Sequence, residues 1–161
     1  MANDMDEIRS TLNDLIETCK DSHEGFHSAA EKLKDPEIHS VFLRYYLQRS
    51  EFGGELQAEV TRLGGEPASS GSTLGAIHRG WIGLKTALAE DTDFAILDES
   101  ERSEEAAVKN YIEALRRGLP ADIESIVSRQ FHEIQLALRT IRALLGKHHP
   151  TATDLPMAGL R

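Results

Sequence analysis

The sequence predicts an all-α protein: a four-helix bundle whose long crossover, between helices 2 and 3, carries an extra short helix. Three observations predict it. Apolar residues recur at steps of three and four along four long segments, as on one face of a helix. Breaks containing proline or glycine, at 35–37, 64–72 and 118–120, separate those segments. Aromatic residues make up only 6% of the 161 residues, and Ala, Leu, Glu and Arg are frequent, which favours helix over strand.

The first helix pair is predicted over 5–33 and 36–63. Asp4 followed by Glu7 resembles a capping pair at the start of helix 1. Asp35-Pro36-Glu37 gives helix 2 a capping carboxylate, a proline at its first position and an acid where the helix dipole favours negative charge. Gly64-Gly65 ends helix 2, because glycine accepts the positive φ of a helix C-terminus.

The second helix pair follows a loop at 65–72 that has no apolar residue larger than alanine. A crossover helix is predicted over 73–89, capped by Ser72, and Asp91-Thr92-Asp93 ends it. Helix 3 then runs over 94–117 and ends at Gly118, and helix 4 runs from Pro120 to Gly146.

Loop lengths predict how the helices are connected. Tight turns join each pair, whereas a long connection joins helix 2 to helix 3. A single long crossover is typical of ferritin-like folds, and a five-helix packing is the alternative. The predicted organisation is one ferritin-like domain over 1–146, followed by an irregular tail over 147–161.

Charge and composition exclude several classes of function. The chain has 18 Lys plus Arg and 27 Asp plus Glu, a net charge of −9, so binding to nucleic acid or to anionic lipid would need a basic patch that the sequence lacks. Cys19 is the single cysteine and cannot form an internal disulfide. No leader or membrane-spanning segment is apparent, so a cytoplasmic location is predicted.

Polar residues on the predicted inner faces suggest a metal site. Glu101 and Glu104 lie one turn apart on the inward stripe of helix 3, and His23 lies on the stripe of helix 1. Carboxylates and imidazoles from several helices bind divalent ions such as iron in bundle proteins. We therefore predict iron or another divalent metal at these three residues, although helices 2 and 4 lack an inward Glu-x-x-His motif.

The alternative is a hydrogen-bonded layer without metal. Arg49 on helix 2 falls between two inward aromatic residues, where its guanidinium would neutralise Glu101 and Glu104. Gln130, Tyr45 and Tyr111 would complete the layer together with His23. In this interpretation the protein is a non-enzymatic structural or interaction module. No catalytic residue is identified, and whether the protein is an enzyme is left open.

Several segments resemble a known bacterial family of ferritin-like four-helix bundles that is catalogued as a domain of unknown function. They are DSHEGF at 21–26, DPEIHSVFLRYYLQRSEFGGELQ at 35–57, LGGEP-to-GS at 63–72, GAIHRGW at 75–81, AILDESERSEEA at 95–106 and LPADI at 119–123. The resemblance covers about residues 8–145. It implies ferritin-like architecture and assigns no reaction. In similar sequences the position of His23 is often acidic, whereas Arg49 and Gln130 match the family pattern.

The C-terminal residues suggest a partner. DLPMAGLR, at 154–161, is similar to the short Gly-Leu peptides that direct cargo, ferritin-like cargo included, into encapsulin shells. Bundles of this kind also dimerise through helix pairs, so a homo-oligomer is predicted.

Overall fold

The structure is a computed structural model, and it describes residues 2–69 and 80–148. Within those residues the protein is all-α, which confirms the predicted class. The helices are α1 (Ala2–Lys32), α2 (Pro36–Arg62), α3 (Leu84–Glu90), α4 (Asp93–Arg116) and α5 (Ala121–His148). The cargo-like residues 154–161 lie outside the described part of the chain.

The turn between α1 and α2 holds the start of α4 in place. Asp35 caps α2 as predicted, since its side chain accepts hydrogen bonds from the backbone N–H groups of Glu37 and Ile38. Asp93, the first residue of α4, accepts hydrogen bonds from the backbone N–H groups of Lys34 and Asp35 at 2.9 Å each. The Asp93 carboxylate thus binds the turn between α1 and α2 to the start of α4, the first helix of the second pair.

The long helices form a bundle in which contacts fix the direction of each helix. Thr11 and Thr18 of α1 meet Arg117 and Asn110, so α1 and α4 are antiparallel. On the other side, Arg62 of α2 pairs with Asp122 at the start of α5, so α2 and α5 are antiparallel as well. The order is therefore up, down, down, up, and α2 ends at the opposite end of the bundle from the start of α4.

The crossover helix is shorter than its prediction. The described part of the predicted range 73–89 begins with a turn at Gly80, and helix α3 starts only at Leu84. The backbone N–H of Gly83 donates to the carboxylate of Glu99 instead of to a helical carbonyl. At its other end α3 stops at Asp91, whose φ of 54° is left-handed, before Thr92 caps α4. Residues 73–79 lie outside the described residues.

The last two helices follow the predicted punctuation closely. Gly118 has a φ of +79° and ends the turn after α4, as the sequence indicates. Helix α5 starts immediately after Pro120 and continues through Gly146 to His148, two residues beyond the predicted stop. Across 2–69 and 80–148, no helix combines the length and the apolar character that crossing a bilayer requires.

The buried apolar side chains form two clusters along the bundle axis. One cluster contains Phe26, Phe42 and Trp81, and the other contains Leu12, Phe52 and Ile123. On α2, Tyr45 belongs to the first cluster and Phe52 to the second. Arg49 lies between them in sequence, so the bundle has a polar layer at the junction of two apolar cores.

Candidate functional site in the core of the bundle

A bidentate ion pair between α2 and α4 is the centre of the polar layer. Nη1 and Nη2 of Arg49 each donate to one carboxylate oxygen of Glu104, and both distances are 2.6 Å. The exposed fraction of the side chain is 1% for Arg49 and 0% for Glu104. The guanidinium also lies 5.3 Å from the ring centre of Phe26. In this structure Arg49 thus points inward, and its charge is paired with that of Glu104.

A short hydrogen-bonded chain extends from the second apolar cluster into the same layer. The hydroxyl of Tyr111 donates to Oε1 of Gln130 at 2.8 Å, and Nε2 of Gln130 donates to the carbonyl of Phe52 at 3.3 Å. Sγ of Cys19 is 3.2 Å from the Tyr111 hydroxyl. Gln130 and Tyr111 are both fully buried.

The electrostatics of this layer keep its groups in single protonation states. Burial opposes the charge on Arg49, but the nearby carboxylate of Glu104 outweighs that effect and raises the pKa of Arg49. Burial raises the pKa of the Cys19 thiol to about 11 and that of the Tyr111 phenol well above its usual value. The thiol and the phenol therefore stay neutral near pH 7, and neither is an activated nucleophile.

Glu101 does not share the interior with Glu104, which corrects the predicted inward stripe. Its side chain is 31% exposed, and it faces Arg142 of α5 at 3.9 Å. The buried face of α4 instead passes through small residues, Ser100, Ser103 and Ala107. The predicted face of α4 followed large apolar residues such as Val108 and Leu115, which are only partly buried. The predicted face is therefore rotated about the helix axis relative to the face that is buried. Small side chains let α4 pack closely, and the serine hydroxyls donate to backbone carbonyls one turn earlier.

His23 and Tyr45 lie at the margin of the layer. Nδ1 of His23 is 3.1 Å from the carbonyl oxygen of Tyr46, and its ring stacks on the Tyr46 ring with centroids 4.2 Å apart. His23 is half-buried at the seam between α1 and α2. Tyr45 is buried, and that burial raises the pKa of its phenol. Neither side chain makes a described hydrogen bond to Glu104.

The three predicted metal ligands occupy three different surroundings. Glu104 binds Arg49, Glu101 faces Arg142, and His23 packs on Tyr46. Among the residues that the structure describes, no group of three or more His, Cys, Asp or Glu side chains is placed to hold a metal ion.

Sequence reasoning missed a second acid, Asp21 of α1. It is 8% exposed, and within the described residues its Oδ2 is a buried side-chain oxygen without a hydrogen-bond partner. Burial, and then the charge of Glu24, raise the pKa of Asp21 to about 6. The signal was available, since Asp21 lies two and five residues before His23 and Phe26 in the DSHEGF segment. The prediction considered only the stripe of helix 1 that contains His23, and Asp21 lies outside that stripe.

The comparisons identify a family and no activity. A family model described as a domain of unknown function (DUF2383) matches residues 7–117, a span that includes both Arg49 and Glu104. No curated protein matches the chain. The match covers more than half of the chain, so this protein belongs to the DUF2383 family of unknown function.

Proposed function

We propose that this protein is a non-enzymatic structural or protein-interaction module, a helical bundle in which Glu104 pairs with Arg49 instead of binding a metal ion. The observation that carries the proposal is the bidentate contact between two side chains that are 1% and 0% exposed. Ferritin-like ancestry is part of this proposal, supported by the up, down, down, up helix order and by the sequence resemblance.

The chemistry of the pair supports a structural role for Glu104. Both of its carboxylate oxygens accept hydrogen bonds from Arg49, so a divalent ion at Glu104 would compete with a guanidinium 2.6 Å away. Displacing Arg49 would leave a buried cation without a partner, which costs about 3–5 kcal/mol in comparable cases. A planar, bidentate pair also fixes how α2 and α4 are positioned relative to each other.

The competing function is divalent metal binding at Glu101, Glu104 and His23, with iron as the leading candidate and a role in iron or oxidative-stress handling. It requires Glu104 to leave Arg49 and His23 to leave Tyr46. In that case the metal content of the purified protein depends on Glu104, and removal of the guanidinium raises it, because the repulsive charge is gone.

A double-mutant cycle separates the two functions. We expect Arg49→Met and Glu104→Leu each to lower the free energy of unfolding by about 3–5 kcal/mol, and the double variant to recover most of that loss. Protein purified without a histidine tag is analysed for metals in parallel, and we expect substoichiometric metal in every variant.

The matched control is the surface pair of Arg142 and Glu105, whose side chains are 50% and 40% exposed. Its cycle should give coupling below about 1 kcal/mol. Stoichiometric metal in the parent that disappears in Glu104→Leu would overturn the proposal and establish the metal site.

The sequence also suggests partners for such a module. We propose that residues 154–161 engage an encapsulin-type shell protein and that the chain forms a homo-oligomer. Deleting 154–161 should abolish co-purification with the shell protein and leave helical content unchanged. Retained co-purification would remove the tail from the proposal, and light scattering tests the oligomer.

A further inference from the structure

A cavity of about 290 Å³ lies on the far side of α1, between that helix and the crossover. Two acids of α1, Asp21 and Glu24, line it together with Trp81, Leu84, Lys85 and Leu88. The lining combines a carboxylate wall with an indole and two aliphatic side chains. Its volume is close to the lower end of ligand pockets, which is about 300 Å³.

Asp21, on the wall of this cavity, has a carboxylate oxygen without a hydrogen-bond partner among the residues that the structure describes. The residue is 8% exposed, and Oδ2 has no hydrogen-bond partner in the described part of the chain. A buried carboxylate without a partner is unfavourable by several kcal/mol when ionised. Since the pKa of Asp21 is about 6, the carboxyl is mostly ionised at neutral pH, where a cation would relieve this cost.

The opposite wall suits the face of a hydrocarbon or aromatic body. Trp81 is 8% exposed and packs edge-on against Phe26, with centroids 5.3 Å apart. It approaches α1 closely because residue 25 is glycine: a Cβ there would lie 2.2 Å from the indole ring. The indole face also attracts cations, which adds to the pull of the carboxylates.

The net charge of the side chains that line the cavity indicates which kind of cation would fit it. Asp21 and Glu24 contribute two negative charges and Lys85 one positive charge, which leaves −1 among the ionisable side chains lining the cavity. A metal ion needs more oxygen ligands than two carboxylates supply, and apolar side chains do not hydrate one. A monovalent ammonium ion with an apolar body matches both the charge and the lining.

We infer that this cavity binds a small organic monocation, a primary ammonium ion on an apolar body, with Asp21 as the charge partner and Trp81 as the packing surface. The inference rests on the proposed function only in that the protein acts by binding. It uses none of the residues of the Arg49–Glu104 layer.

Trp81 provides a direct readout because it is the only tryptophan in the chain. We use 2-phenylethylammonium as the probe and 2-phenylethanol as its neutral counterpart. At pH 7.5 the ammonium ion should change Trp81 fluorescence saturably, with at least tenfold higher affinity than the alcohol.

Three variants locate the charge. Asp21→Asn should weaken ammonium binding at least tenfold and leave the weak alcohol response unchanged. Glu24→Gln should weaken it less, because Glu24 is exposed to solvent. The control Asp98→Asn removes an exposed carboxylate from α4 and should have no effect.

The pH dependence of binding follows from the groups on each neighbouring helix that line the same two cavities as Asp21. They include Glu24 on its own helix, Lys85 on α3, and the neutral side chains of Ser103 and Asn110 on α4. As pH falls from 7.5 to 5, Asp21 takes up a proton and ammonium affinity should decrease. In Asp21→Asn this decrease should be largely absent.

Three results would overturn the inference: equal affinity for the ammonium ion and the alcohol, no saturable response up to 10 mM probe (an order-of-magnitude ceiling for weak ligands), or unchanged binding in Asp21→Asn. Circular dichroism checks that this near-isosteric variant is folded. The readout is distinct from the unfolding and metal measurements on Arg49 and Glu104, so either proposal can fail without the other.

Discussion

Glu104 and Asp21 are both buried acids of the same bundle, and they differ in what stands beside them. Glu104 meets a guanidinium that binds both of its oxygens at 2.6 Å. Asp21 has a buried oxygen with no partner among the described residues, and its pKa is raised to about 6. Burial alone thus does not distinguish a structural carboxylate from a binding carboxylate. The partner decides which role is available.

The largest expected effect comes from breaking the satisfied pair. Glu104→Ala removes the carboxylate and leaves Arg49 buried without a partner, so the free energy of unfolding should fall by about 3–5 kcal/mol. Chemical denaturation monitored by circular dichroism measures it. Glu105→Ala, one residue along the same helix and 40% exposed, is the control and should cost less than about 1 kcal/mol. Equal losses of unfolding free energy in the two variants would mean that Arg49 does not depend on Glu104 as its charge partner.

The second-largest effect is expected at Gly25, in the wall of the cavity that Asp21 lines. Gly25→Ala places a Cβ 2.2 Å from the Trp81 indole, so the ring must move or α1 must shift, and we expect a loss of about 1–3 kcal/mol. Trp81 fluorescence should shift as well. Gly54→Ala is the control, because nothing lies within 4 Å of its new Cβ on the exposed side of α2, and better helix propensity should stabilise it by up to about 1 kcal/mol. A Gly25→Ala variant with the same free energy of unfolding and the same Trp81 fluorescence as the parent would contradict the close packing of Trp81.

Asp21 should destabilise the fold at neutral pH, in contrast to Glu104. Because its folded-state pKa of about 6 exceeds the ordinary value of 3.8, the folded protein binds more protons between these values. Its contribution to stability is therefore complete below about pH 4 and is lost as pH rises through about 6. Asp21→Asn should gain about 1 kcal/mol at pH 8 relative to the parent and little at pH 4.

Chemical denaturation of the parent and of Asp21→Asn at several pH values measures this difference in the free energy of unfolding. We expect the buried carboxylate of Asp21 to destabilise the fold at neutral pH and that of Glu104 to stabilise it. A loss of stability in Asp21→Asn at pH 8 would mean that the carboxylate has a charged partner in the chain. That result would also count against cation binding at Asp21.

The smallest effect is expected at Glu101, which sequence reasoning placed beside Glu104. Its side chain is 31% exposed and lies 3.9 Å from Arg142, so Glu101→Gln should change the free energy of unfolding by less than about 0.5 kcal/mol. Thermal unfolding compared with Glu104→Gln tests this. A loss as large as that of Glu104→Gln would put Glu101 back in the core.

Patterns that act locally were predicted well. Asp35 caps α2, Gly118 ends the turn after α4, and α5 starts after Pro120, because caps and breakers depend on a few neighbouring residues. Inward positions were predicted less well, as Glu101 shows. The side of a helix that faces a core depends on the partner helix, and small serines and alanines gave too weak a signal on the wheel.

The amino-acid sequence by itself determined the all-α class and the four long helices, since periodicity and capping are properties of one segment at a time. Tertiary structure alone decided that Arg49 points inward and pairs with Glu104, and that Glu101 stays half-buried beside Arg142. It also decided that Asp21 lines a cavity together with Trp81 and that its Oδ2 has no partner in the described part of the chain. Such pairings depend on helix rotation and distance, which only packing sets, and a rotation of a few tens of degrees exchanges a buried acid for an exposed one.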